Sequence, residues 1–187
     1  MKSAMKSAMK SATTRSDRSD RPDPSEHLPY YEKYIAMVPP GDIISTLGQE
    51  LETTLSLLGS LTPEQADFRY APDKWSVKEV VGHVTDTERI FAYRAMRFGR
   101  NDQTPLPGFD ENEYVPAAKF GARALGDLAT EFEHVRKANL FLFRGMDDAA
   151  WLRKGTANGA AVSVRALAYI IAGHEIHHRN VIRTKYL

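Results

Sequence analysis

Four stretches of the chain place apolar residues every three or four positions, the spacing of one face of an α-helix. Ile43, Ile44, Leu47, Leu51, Leu55 and Leu58 make the first, with Asp42 placed to cap it. Val77, Val80, Val84, Phe91 and Phe98 make the second, which opens at Ser76 and stops at Gly99. Ser76 and Glu79 have the spacing of a capping box. The third covers about 123–144 and ends at Gly145. The fourth, capped by Ser163, carries Val164, Leu167, Ile171, His174, His178 and Ile182 along one stripe. Between these, Thr62-Pro63-Glu64-Gln65 predicts a short helix with proline at its first position. Residues 147–152 predict a helical turn and 155–161 a loop. No segment alternates with a period of two, so strands are not expected. The expected fold is all-α, a four-helix bundle with short extra helices and a long loop over 100–121.

That loop holds three prolines together with Phe109, Asp110, Glu111, Glu113 and Tyr114. A connection so long in a compact domain tends to be functional or disordered. The chain also begins with a distinct region. Met1-Lys2-Ser3-Ala4 is repeated as Met5–Ala8 and Met9–Ala12, and a stretch rich in Ser, Asp, Arg and Pro follows. Residues 1–26 are therefore expected to be a disordered tail, because such a tract cannot offset its ordering entropy. Residues 27–187 form the expected domain.

Composition narrows the chemistry. The 187 residues contain no cysteine, which excludes disulfides, thiolate metal sites and cysteine nucleophiles. Any metal must be held by nitrogen and oxygen. The net charge is +1, but residues 1–26 contribute +2 and the remainder carries −1. A body without a basic stripe argues against nucleic acid as a partner. No apolar run reaches the roughly 18 residues of a membrane span, and no signal-peptide core is present. The expected location is cytoplasmic.

Three of the six histidines fall within five residues, His174-Glu175-Ile176-His177-His178. Residues four apart on a helix share a face, so His174 and His178 can grip one ion. On a helical wheel both lie inside the apolar stripe, whereas His177 falls about 90° away. His83 lies at the edge of the second helix's stripe, facing the gap between helices, and supplies a candidate third ligand. The bland alternative is a set of core histidines satisfied by hydrogen bonds. Asp86 and Glu88 lie within a turn of His83; either could orient a ligand imidazole, or both could be solvated surface charges. Asp86 is the candidate catalytic group, as orienting group or proton acceptor. Arg94 and Arg179 are candidates for holding an anionic cosubstrate, and Phe109, Asp110 and Tyr114 for lining an entrance. The histidine run also matches H-E-x-x-H, the zinc protease motif whose glutamate is a general base. Only nine residues follow it, none of them His, Asp or Glu, so the protease reading ranks below the others.

Two segments together resemble a family. Residues 74–88, from Lys74-Trp75-Ser76 through Glu79 and His83 to Asp86, resemble the W-S-x-x-E-x-x-x-H-x-x-D/E signature of the DinB-like superfamily, also called YfiT-like. His174, His178 and Arg179 resemble its closing H-x-x-x-H-R helix. The resemblance covers roughly 28–187. It implies an up-down-down-up bundle, often dimeric, with His83, His174 and His178 holding a divalent ion such as zinc or nickel. It also implies relatives that are thiol-dependent S-transferases or mycothiol-dependent isomerases. The expected function is a metal-dependent enzyme for a small-molecule substrate. A low-molecular-weight thiol would be transferred to an electrophile, or a water used in metal-assisted hydrolysis. The alternative is a non-catalytic metal- or ligand-binding bundle.

Overall fold

The structure is a computed structural model in which residues 18–187 are described. In chain order its helices are α1 (Glu32–Ile35), α2 (Ile43–Gly59), α3 (Pro63–Asp67), α4 (Val77–Gly99), α5 (Glu111–Ala118), α6 (Leu125–Arg144), α7 (Asp148–Leu152) and α8 (Val164–Val181). The strands β1 (Lys154–Ala157) and β2 (Ala160–Ser163) lie between α7 and α8. The caps are those that local chemistry requires. Asp42, Ser76 and Ser163 each accept a backbone N–H at the start of α2, α4 and α8, and Glu79 completes the capping box.

Helices α2, α4, α6 and α8 form a four-helix bundle in which α4 and α2 each pack against both α6 and α8. Two apolar clusters reveal its direction. One end gathers Ile43 and Leu47 from the start of α2, Val164 and Leu167 from the start of α8, and Phe98 and Phe143 from the ends of α4 and α6. The opposite end gathers Leu58 and Ile182 with Val77, Val80 and Leu128. Helices α2 and α8 therefore run one way and α4 and α6 the other, the up-down-down-up arrangement. The fold agrees with the all-α expectation.

Three expectations need correction. The stretch expected as a loop over 155–161 is an antiparallel hairpin, with Lys154 paired to Ser163 and Ala157 to Ala160. Its two-residue turn is Asn158-Gly159, both at positive φ (52° and 74°), the conformation of a type I′ hairpin turn. Each strand has only four residues, which is too short to show alternation. The long loop over 100–121 is tied to this hairpin. Leu106 N–H donates to the Thr156 carbonyl at 2.9 Å, and Asn158 N–H donates to the Leu106 carbonyl at 3.0 Å. The loop also contains α5.

The third correction concerns residues 18–26, expected within the disordered tail. They are packed on the body. Tyr169 donates its hydroxyl hydrogen to the Ser19 carbonyl at 3.0 Å, and Arg21 donates to the Ile35 carbonyl at 2.7 Å. Ser163 donates to Glu26 at 2.6 Å, and Arg165 pairs with the same carboxylate. The Arg18 guanidinium stacks 4.3 Å from the Trp151 ring centroid. These polar and cation–π contacts offset the ordering entropy that composition alone leaves uncompensated. The repeats at Met1–Ala12 lie outside the described residues.

Candidate metal centre

The triad is built from two helices. Helix α4 brings His83 and α8 brings His174 and His178, and α4 packs directly on α8 in the bundle. The Nε2 atoms of His83 and His178 each lie 3.1 Å from Nε2 of His174. All three donor atoms fall within 4.8 Å of one another, and among the described residues they are the group of His, Asp and Glu arranged to hold a metal. Their burial is nearly complete for His83 and His174, each 7% exposed.

Burial fixes their protonation. Removal from water disfavours imidazolium, which takes His83 down to about 4 from the ordinary 6.5. His174 and His178 are pushed well below the ordinary value by burial first and by neighbouring histidines second. At neutral pH all three are neutral and expose lone pairs. A neutral imidazole nitrogen carries either one proton or one lone pair. The single Nε2 of His174 therefore cannot satisfy two such partners well by hydrogen bonding. One cation satisfies all three lone pairs together. Two nitrogens on a tetrahedral zinc would lie ~3.3 Å apart, close to the separations found. The residues fit a divalent ion.

The rings are held by packing. Trp75 lies against the His83 ring, centroids 4.9 Å apart and planes tilted by 46°, and Tyr34 meets His174 and His177 edge-on at 5.4 Å. Tyr34 reaches α8 because residue 173 is glycine. A Cβ there would lie 2.0 Å from the Tyr34 carbonyl oxygen.

Behind the triad lies a buried ionic cluster. Arg136 of α6 is fully buried and donates to both Glu88 oxygens at 2.7 and 2.8 Å, while Nη1 pairs with Glu175 at 2.7 Å. Burial alone would lower the Arg136 pKa, but the two carboxylates outweigh it and raise it. Glu175 also accepts from Thr54 Oγ1 at 2.7 Å, and Arg179 pairs with Glu50. The glutamate of the H-E-x-x-H match therefore faces away from the ion site into this cluster, which removes the general-base role of the protease reading. Arg179 is likewise a structural partner rather than a cosubstrate anchor.

The triad forms part of the wall of a cleft of about 400 Å³. Tyr31, Tyr34, Trp75, Thr87, Phe91 and Phe109 line it with the histidines, and His177, Arg94 and Glu111 add polar groups. Sequence reasoning singled out Arg94 and Phe109, which the structure brings there. Tyr114 stands behind Phe109, their ring centroids 5.6 Å apart. Asp110 instead caps α5, accepting from Asn112 N–H at 2.8 Å. Asp86 is a correction. It does not line the cleft, and its carboxylate accepts from Arg89 at 3.2 Å in a surface cluster with Glu131. At about 100° per residue, His83, Thr87, Phe91 and Arg94 turn to one side of α4 and Asp86 to the opposite flank, toward α6. Glu88, allowed as a surface charge, is 2% exposed. The tyrosines of 30–34 gave no sequence signal, because one helical turn is too short to show a period.

Residues 46–182 match the DinB superfamily. This chain belongs to that superfamily. A similar solved structure is YfiT from Bacillus subtilis, with a TM-score of 0.65 and 17% identity, covering 88% of this chain and 90% of that one. It is described as a probable metal-dependent hydrolase with an unusual four-helix bundle topology. No curated protein matches the chain. Among the described residues no helix is long and apolar enough to cross a membrane.

Proposed function

We propose that this protein is a divalent-metal-dependent enzyme acting on a small organic molecule, with water or a small thiol as the attacking group. One observation carries the reading. Three neutral imidazoles converge on a point in the wall of an open cleft, and among the described residues no carboxylate belongs to their cluster. Catalytic metal sites use three protein ligands and keep a position free, whereas structural sites are closed by four. Zinc and nickel both suit imidazole ligands.

His83, His174 and His178 would hold the ion. Bound there, a divalent metal lowers the pKa of a coordinated water or thiol so that it is a nucleophile near neutral pH. The rest is supplied by the chain. Burial keeps the ligands unprotonated. Trp75 and Tyr34 hold the imidazole planes, and the Arg136 cluster holds α8 against α6. The aromatic wall takes up the apolar part of a substrate and excludes water. A thiol nucleophile would arrive with the cosubstrate, since the chain has no cysteine. The likeness to YfiT supports hydrolysis, and the family resemblance supports thiol transfer.

The test is elemental analysis of protein purified without chelators, beside His83→Ala. The expected result is close to one equivalent of a divalent metal in the wild type, lost in the variant. Little metal in either, even after incubation with zinc or nickel, would overturn the proposal. Titrating cysteine into the cobalt-substituted protein then separates the nucleophiles. A change in the cobalt spectrum supports thiol transfer, and no change favours hydrolysis.

A further inference from the structure

Arg94 is the odd residue in the cleft. It is a cleft-lining arginine only 4% exposed, yet among the described residues it forms no ion pair with a carboxylate. Its one hydrogen bond is from Nη2 to the Pro107 carbonyl at 2.8 Å. The guanidinium lies over Phe91 and Phe109, 5.3 and 5.8 Å from their centroids. Two other buried arginines of the bundle helices are answered by carboxylates, Arg136 by Glu88 and Glu175, and Arg179 by Glu50. A buried charge with no opposite charge beside it is costly, and an anionic ligand group in the cleft would offset that cost. Burial also lowers the Arg94 pKa from the ordinary arginine value. The other charged group on the wall, Glu111, does not pair with it; its charge bears on Tyr31 and Tyr34 instead.

A second observation lies on the same wall. Thr87, between His83 and Arg94 on α4, has a buried hydroxyl without a hydrogen-bond partner. His83, Thr87, Phe91 and Arg94 are spaced four, four and three apart, so they share one face of α4. The eleven residues from His83 to Arg94 rise about 16 Å, and an arginine folded back over Phe91 brings its charge to roughly 10 Å from the triad.

Resting on the reading of this cleft as a small-molecule site, we infer that Arg94 is the anchor for an anionic group of the substrate, a carboxylate or a phosphate, with Thr87 contacting the chain between anchor and triad. The substrate class is an elongated small acid whose charged end lies at Arg94 and whose reacting end lies at the histidines. The planar guanidinium favours bidentate binding of such a group.

The test needs no metal and no known reaction. Calorimetry on chelator-treated full-length protein compares 4-phenylbutyrate with 4-phenylbutanol, which has the same frame without the charge. The wild type should prefer the acid by about tenfold or more, the size expected of a charged hydrogen bond. Arg94→Met should abolish the preference while leaving the alcohol unaffected, and Arg94→Lys should retain part of it. Unchanged helical circular dichroism in Arg94→Met excludes misfolding as the cause. Equal binding of the two probes, retained preference in a folded Arg94→Met, or no saturable binding of the acid would each overturn the inference. Metal content is read separately. In wild-type protein purified without chelators, metal bound but no acid preference sinks only the anchor. An acid preference in a wild type that takes up no zinc or nickel sinks only the metal-enzyme reading.

Discussion

At the scale of single residues, three histidines of one helix divide between two environments. His174 and His178 join His83 with their Nε2 atoms, whereas His177 lies one residue off the stripe and meets Tyr34 and His178 with its ring. Its wall position gives it contact with the cleft but no share in the ligand set. His174→Ala and His178→Ala should each abolish tight metal binding measured by competition with a chelating dye. His177→Ala should keep the stoichiometry and affinity within a few-fold. Equal loss in all three would break the assignment. Neutral ligands are also why the site suits a cation at ordinary pH, since burial rather than a neighbouring base has removed their protons.

At the scale of elements, α6 contributes no ligand and yet holds the site's geometry. Arg136 joins α6 to α4 through Glu88, to α8 through Glu175 and to α2 through the Leu47 carbonyl at 2.8 Å. Burial raises Glu175 above the usual carboxylate range even though Arg136 and Thr54 pull the other way, so removing the arginine strands two buried carboxylates. Arg136→Ala should therefore cost about 3–5 kcal/mol in urea unfolding, the range for breaking a buried pair. Arg136→Met combined with Glu88→Leu and Glu175→Met should cost much less, because no charge is left unpaired. An Arg136→Ala protein as stable as the wild type would refute this account.

At the scale of the whole molecule, the segment 18–26 straps the hairpin and α8 to the body. Burial favours the neutral form of Glu26, but Arg165 and Ser163 outweigh it, and the folded value falls below the ordinary 4.5. A depressed carboxylate stabilises the fold above its unfolded pKa and loses that contribution as pH falls through the folded value. Melting temperature measured from pH 6 down to pH 3 should fall below about pH 4.5, and Glu26→Gln should flatten that part of the fall. Deleting residues 1–26 should lower the melting temperature at pH 7 as well, by about 2–4 °C for each kcal/mol lost. An unchanged melt would mean that the strap contributes nothing.

Much of this was readable along the chain. The four helices, the caps of α2, α4 and α8, and the His174–His178 pair are all local patterns, set by residues within one or two turns, and those are the interactions that spacing exposes. His83 needed the resemblance as well as its position at a helix edge. The Asn158-Gly159 turn was visible in principle, but four-residue strands carry too little pattern to compete with a loop. The pairing of Arg136 with two glutamates, the strap over the hairpin, the turning aside of Asp86 and the aromatic wall around an unpaired Arg94 depend on residues far apart in the chain. Sequence spacing determines which way a side chain leaves its helix. Only the packing of one helix against another determines what it meets there, and with it whether a charge is solvated, paired or left for a ligand.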